Sequence, residues 1–245
     1  MRAVVVGASG ATGQQLVREL LNRNVAVNII VREKDKLPND IQTHRHLTIK
    51  EASILQLSDS EMLDIVKDCD AVASCLGHNI TIKGIFGKPK MLVTDSVQRL
   101  CQAIQKNNPA KPVKFVLMNT TANTNKDLNE QLALKEKFVF SVLRNFLPPQ
   151  LDNERAADYL RTEIGKSNNK IEWSIVRPDT LIDENTVTEY RVFPSPVRSP
   201  IFDAGKTSRI NVAHFMSELI TNETVWEQWK SKMPVIYNEA YSLSK

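Results

Sequence analysis

Cysteine is scarce: Cys69, Cys75 and Cys101 are the only three in 245 residues, and no two form a Cys-x-x-Cys pair. That argues against a disulfide framework and for a reducing compartment. No apolar run approaches the ~18 residues that a membrane-spanning helix needs. The N-terminus lacks the apolar core of a signal peptide, because glycines and polar residues interrupt it by Gly7. Internal repeats and low-complexity linkers are missing as well. The net charge is +4, but the lysines and arginines are spread along the chain. With no basic stripe and no aromatic platform, nucleic acid is not an expected partner. What remains is the expectation of a cytoplasmic globular protein that does not associate with membranes. A hydrophobic fraction of 42% and a charged fraction of 24% suit that class. The mild positive balance also suits a phosphate-bearing ligand.

Apolar runs and amphipathic stretches alternate through the first half. "RAVVVG" from Arg2 predicts a buried strand, and "ATGQQLVRELLNRN" from Ala11 a helix with Leu16, Leu20 and Leu21 inward. "VAVNIIVR" predicts a second strand and "HLTIKEA" a weaker third. "DSEMLDIVKD" predicts a helix, "DAVASCLG" a strand, "TDSVQRLCQAIQKN" a helix capped by Thr94 or Asp95, and "PVKFVLMN" a further strand. Strands alternating with helices predict a doubly wound, Rossmann-type parallel sheet of α/β class, covered on both faces.

Beyond Asn119 the pattern loosens. A helix is expected over 127–147, ended by Pro148 and Pro149, and another over 153–167. "KIEWSIVRPDTLID" predicts a strand and turn, "VTEYRVFPSPVRSP" a short strand and loop, "NVAHFMSELI" a helix and "PVIYNEA" a last strand. No composition shift marks a boundary. Residues 1–245 therefore form one expected domain, with a small C-terminal elaboration on the substrate side.

The stretch "VVVGASGATGQQLV" places Gly7, Gly10 and Gly13 between the first strand and the first helix. A glycine turn there lets the backbone approach a pyrophosphate, which the free N–H groups and positive dipole of the helix N-terminus then bind. The spacing is GxxGxxG, not the commoner GxGxxG. After the second strand a cofactor without a 2′-phosphate meets an acid, about 20 residues on, that takes the ribose hydroxyls. Here the first polar residue is Arg32, whose guanidinium suits a phosphate. NADP(H) is thus expected over NAD(H), with Ser9 placed to donate to the same phosphate. Alternatively Glu33 turns inward and Arg32 is solvated.

"VVGASGATGQQLV", "VREKDKLP", "DAVASCLGHN", "TDSVQRLCQAI", "KFVLMNTTA" and "WSIVRP" occur in the order of the atypical short-chain dehydrogenases that bind NAD(P)H. The chain resembles their flavin reductase/biliverdin reductase B type, and is similar to the NmrA-like group. The likeness runs to about Asp183 and resumes faintly at "TSRINVAHFM". It implies that Gly7, Gly10, Ala11, Thr12 and Gly13 hold the pyrophosphate and Arg32 the 2′-phosphate. Leu76 and Gly77 would pass beside the adenosine half. Asn119, Thr120 and Pro178 would lie by the nicotinamide. It implies an NADPH-dependent reductase of a small planar acceptor such as a flavin or quinone, acting as a monomer or weak homodimer. The NmrA-like likeness implies instead a non-catalytic NADP(H)-binding sensor.

Departures from that pattern carry information. The acid that many relatives place after the third strand is replaced by Ala52 or Ser53. The Tyr-x-x-x-Lys positions of standard short-chain dehydrogenases read Leu151 and Arg155, and Tyr159 is followed four residues on by Glu163. The flavin reductase type lacks that pair too. Where that type has an arginine, this chain has His78 and Asn79, which weakens the case for an anionic bilin. His78 is a catalytic candidate or a plain loop histidine. His44 and His46 have no third ligand spaced nearby, so no metal is expected. "GIFGKPK", with Lys83, Lys88 and Lys90, is either a cover for the cofactor or a solvated loop. Cys75 is expected to be inert packing. "PSPVRSP", with Arg191 and Arg198 near it, either walls the substrate pocket or is a surface loop.

Overall fold

Ala3, Val4, Val5 and Val6 are at most 1% exposed. A β-branched run buried on both faces has to form a strand inside a covered sheet. The computed structural model, which describes residues 1–78, 87, 89–130, 135–136 and 148–239, puts it there. The strands are β1 (Arg2–Val6), β2 (Ala26–Val31), β3 (Leu47–Glu51), β4 (Ala71–Ser74) and β5 (Val113–Met118), followed by β6 (Ile171–Pro178), β7 (Thr180–Ile182), β8 (Tyr190–Phe193), β9 (Lys206–Ser208) and β10 (Val235–Asn238). Eight of them form one sheet in the order β3-β2-β1-β4-β5-β6-β10-β8. All neighbours in it pair in parallel except β8, which runs antiparallel to β10 at the edge.

Side chains alternate across the sheet, so the two faces build two cores. Ala3 and Val5 join Leu16 and Leu20 of α1 (Ala11–Asn22) and Phe215, Leu219 and Trp226 on the other side of the chain. Val4 and Val6 join Met62 and Val66, with Val97, Leu100 and Leu160. The remaining helices are α2 (Asn39–Gln42), α3 (Asp59–Val66), α4 (Leu92–Asn107), α5 (Pro148–Asp158), α6 (Arg209–Thr221) and α7 (Glu223–Trp229). The fold is of Rossmann type. Strand order reverses at β1, which has β2 on one side and β4 on the other. A crevice at the strand C-terminal ends follows from that reversal.

The differences from expectation are local. Helix α4 starts at Leu92, so Thr94 and Asp95 lie inside it and not at its cap. Pro148 and Pro149 open α5; a first-turn proline loses no helical hydrogen bond. Most of 127–147, where a helix was expected, falls outside the described residues. Helix α5 widens into a π-helical turn, Tyr159–Ile164, which ends at Gly165 with φ +72°. Strands β7 and β9 pair with each other as a separate two-stranded parallel sheet. No described helix is long and apolar enough to cross a membrane.

Candidate functional site

Gly7 ends β1 with φ +76°. A Cβ there would lie 2.5 Å from the carbonyl of Cys75, and one at Gly13 would lie 2.1 Å from the Gly7 oxygen. Both glycines are therefore demanded by the fold itself. Gly10 is different: a Cβ would meet only the Gly7 oxygen, at 3.3 Å. The turn is braced, with the Gly10 amide donating to the Gly7 carbonyl at 3.0 Å and the Gln14 side chain donating to the Ser9 carbonyl at 3.1 Å.

Helix α1 begins at this turn with no side-chain cap and no acid in its first turn. Four of the other helices differ. Ser58 caps α3, Ser208 caps α6, Asn222 caps α7, and the Asp152 carboxylate accepts from the Val93 and Thr94 amides of α4. Gly10 and Ala11 are exposed beside the uncapped amides, and Thr12 is buried. Small exposed residues over free N–H groups fit the pyrophosphate of a dinucleotide.

At the end of β2, Arg32 is exposed and makes no hydrogen bond or ion pair with the described residues. Glu33 is held by Lys36 at 2.8 Å, and that bond draws its carboxyl below the usual carboxylate range. The Lys34 amide donates to Glu51 of β3 at 3.1 Å. Of the two candidates for the ribose end, Arg32 is the one left available.

At the end of β4, Leu76 is half-buried and Gly77 exposed, with nothing within 4 Å of a Cβ at Gly77. His78 turns inward. Its Nε2 lies 2.7 Å from Oδ2 of Asp152 on α5, and the two side chains are 5% and 0% exposed. The same carboxylate takes the Val93 and Thr94 amides at 2.8 Å each, and the Thr94 hydroxyl donates to the Asp152 carbonyl at 2.9 Å. Asp152 is a residue that sequence reasoning missed. It stands next to Leu151, in the helix inspected for the Tyr/Lys pair, but its partners are 58 and 59 positions away.

Asn119 and Thr120 follow β5. Both ends of the Asn119 amide are used within the protein: Nδ2 donates to the Asn153 carbonyl at 2.9 Å, and Oδ1 accepts from the Thr120 amide at 2.9 Å. Asn119 thus fixes the turn. Thr120 is half-buried, and its Oγ1 accepts from the Ala122 amide at 3.2 Å. The Pro178 carbonyl accepts from the Thr121 amide at 3.1 Å, which joins the ends of β5 and β6. Buried Arg177 then ties this turn down. It grips both oxygens of Glu130, at 2.7 and 2.8 Å, and donates to the Asn123 carbonyl at 2.8 Å. Beside it, burial pushes the Asp179 carboxyl up, against the Gly205 amide that donates to it at 2.9 Å.

A cavity of about 600 Å³ opens here, between Thr121, Thr124 and Leu128 on one side and Val197, Ser199 and Phe202 on the other. Residues 195–200 of "PSPVRSP" line it. A second cavity, of about 770 Å³, lies at the opposite ends of the strands, among Met1, Asp70, Lys114 and Glu172.

Leu151 is half-buried, and Arg155 is exposed, 3.9 Å from the Met91 sulfur. Burial holds the Tyr159 phenol up at about 12, which makes it a poor acid. Tyr241 and Lys245 have the Tyr-x-x-x-Lys spacing but lie outside the described residues, as do Asn79, Lys83 and Lys88. Burial also pushes the Cys75 thiol up to about 12, as suits packing. The His46 amide donates to His44 Nδ1 at 3.2 Å, and the described residues hold no cluster that could ligate a metal.

Solved structures share the fold. An oxidoreductase, ylbE, from Lactococcus lactis superposes with TM-score 0.69 at 18% identity, over 97% of this chain and 91% of that one. A short-chain dehydrogenase/reductase of wide type from Veillonella parvula, in complex with NADP, gives 0.69 at 16%, over 99% and 96%. ChuY, an anaerobillin reductase from Escherichia coli O157:H7, gives 0.68 at 13%, over 100% of both chains. Such identities establish a shared fold. No curated protein sequence matches the chain. The glycine turn, the uncapped helix and the sheet order converge with one further finding: a family model described as NAD(P)H-binding matches residues 7–223, and the chain belongs to that family.

Proposed function

We propose that this protein is an NADPH-dependent reductase that transfers a hydride to a small planar acceptor such as a flavin or quinone. The observation that carries the cofactor half is the uncapped start of α1 behind Gly10, with Arg32 unengaged at the end of β2. In this reading Gly7, Ser9, Gly10, Ala11, Thr12 and Gly13 surround the pyrophosphate. Arg32 takes the 2′-phosphate, Leu76 and Gly77 flank the adenosine half, and Pro178 borders the nicotinamide. All 245 residues act as one nucleotide-binding unit in the cytoplasm.

When bound, the reduced nicotinamide supplies a hydride, and one proton from solvent completes the two-electron reduction of the acceptor. The chain's part is alignment. Asn119 holds the turn after β5, and the Thr120 hydroxyl orients acceptor or cofactor. The helix that carries the acid pair in standard relatives has Leu151 and Arg155 instead, so alcohols and ketones are not expected substrates. A conjugated ring needs no strong protein acid.

The test is acceptor-dependent NADPH oxidation followed by stopped flow, with Thr120→Val beside the unmutated protein. The variant should lose several-fold in rate, about what an orienting hydrogen bond of ~1 kcal/mol contributes. Complete loss would assign Thr120 a proton-transfer role. A second reading, a non-catalytic NADP(H) sensor, is favoured by one observation: the Asn119 amide and the His78 imidazole are both engaged within the fold. NADPH binding with no oxidation across a panel of flavins and quinones would select it.

A further inference from the structure

We infer that the cavity beside Thr121 is the acceptor site, and that it selects a neutral, planar, conjugated ring over one carrying a phosphate. This rests on the reductase reading and narrows its substrate. At about 600 Å³ the cavity has room for a two- or three-ring molecule. Its Thr121 wall directly follows Thr120, so a ring seated there lies at the C-terminal ends of β5 and β6.

The rim is apolar and exposed. Leu128 is 52% exposed, Val197 52% and Phe202 62%. The large hydrophobic side chains exposed among the described residues are these three with Met1 and Val187, so most of them gather at this one opening. Such a cluster marks a surface that is covered in use. Phe202 and Val197 can lie against the faces of a flat ring, where aromatic and aliphatic contacts add to burial.

Three of the four charged groups that line the cavity, Arg198, Glu130 and Glu136, are already partnered. Arg198 forms a pair with Asp203, at 2.6 and 3.1 Å. Glu130 is gripped by buried Arg177, and Glu136 accepts a hydrogen bond from Ser199. A phosphate entering here would meet the Glu130 and Glu136 carboxylates. Lys135 is exposed at the rim, where an ammonium in water contributes little.

The experiment is equilibrium dialysis of the full chain, with NADP⁺ present, against riboflavin, FMN and 2-methyl-1,4-naphthoquinone. Riboflavin or the naphthoquinone should bind, and FMN about tenfold more weakly than riboflavin or less still. Which of the two neutral rings binds identifies the source. Phe202→Asp and Val197→Asp should each weaken that binding about tenfold and leave NADP⁺ affinity unchanged. FMN binding as tightly as riboflavin, binding of none of the three, or no effect of either substitution overturns the inference. Neutral-ring binding with no NADPH oxidation overturns the reductase reading and, with it, the role of acceptor site, and leaves only the selectivity for a neutral ring. Equal turnover of FMN and riboflavin keeps that reading and overturns this one.

Discussion

Asp152 Oδ2 stands 2.7 Å from His78 Nε2, which joins α5 to the end of β4 across 74 positions. The same carboxylate, 0% exposed, also holds the first amides of α4. Asp152→Ala would leave those buried groups without partners, each at a cost of about 1–3 kcal/mol, not fully additive. The expected loss of stability is about 3 kcal/mol by urea unfolding. Asp152→Asn, which keeps one acceptor oxygen, should lose less. An unchanged midpoint in the alanine variant would contradict the account.

Gly13 and Gly10 should respond differently. Gly13→Ala drives a methyl into the Gly7 carbonyl, so the protein should unfold or lose most of its stability. Gly10→Val meets no such obstacle. It should stay folded by circular dichroism and lose cofactor binding, because the side chain fills the space over the α1 amides. Normal calorimetric titration of folded Gly10→Val with NADPH would reduce the turn to a structural corner.

NADPH should bind more tightly than NADH. Charge-assisted hydrogen bonds from Arg32 contribute about 1.5–3 kcal/mol, or roughly ten- to a hundredfold in affinity. Arg32→Ala should remove most of that difference and leave NADH almost unaffected. Equal affinities in the unmutated protein would remove Arg32 from the site. Glu33 would then have to leave Lys36 to take its place.

Helix α3 offers a pH test. The Lys50 ammonium at 2.7 Å, with the Ser58 amide and hydroxyl, holds the Glu61 carboxyl down to about 2, from 4.5. Its contribution is fully present above about 4.5 and is lost as the pH falls toward 2. Glu61→Gln should lower the urea midpoint slightly at neutral pH, since exposed pairs contribute little. The gap to the unmutated protein should close on acidification. A gap that stays constant down to pH ~2 would remove the ion pair as its cause.

How far the sequence could be read depended on the distance between partners. The turn from Gly7 to Gly13 and the position of Arg32 are local to one strand–turn–helix unit, and composition alone exposes them. The cap of α4 is not local. Thr94 and Asp95 are good capping types at a plausible start, yet the capping oxygen comes from α5. Asn119 was legible as a residue at a strand end, but not as one whose amide the Asn153 carbonyl and the Thr120 amide consume. The antiparallel β8–β10 edge and the β7–β9 pair bring together residues far apart in the chain, Tyr190 with Asn238 and Thr180 with Lys206, which no local pattern announces.

The contact of Gly7 with Cys75 has a thermodynamic consequence. Because β1 and β4 meet there with no room for a methyl group, the turn that follows is set by the sheet before any ligand arrives. A dinucleotide then associates with little ordering entropy to overcome, and its heat-capacity change should track the apolar area it covers. By the same linkage, saturating cofactor should raise the unfolding temperature. Substitutions that loosen the β1–β4 register should weaken the cofactor at temperatures where the protein is still fully folded.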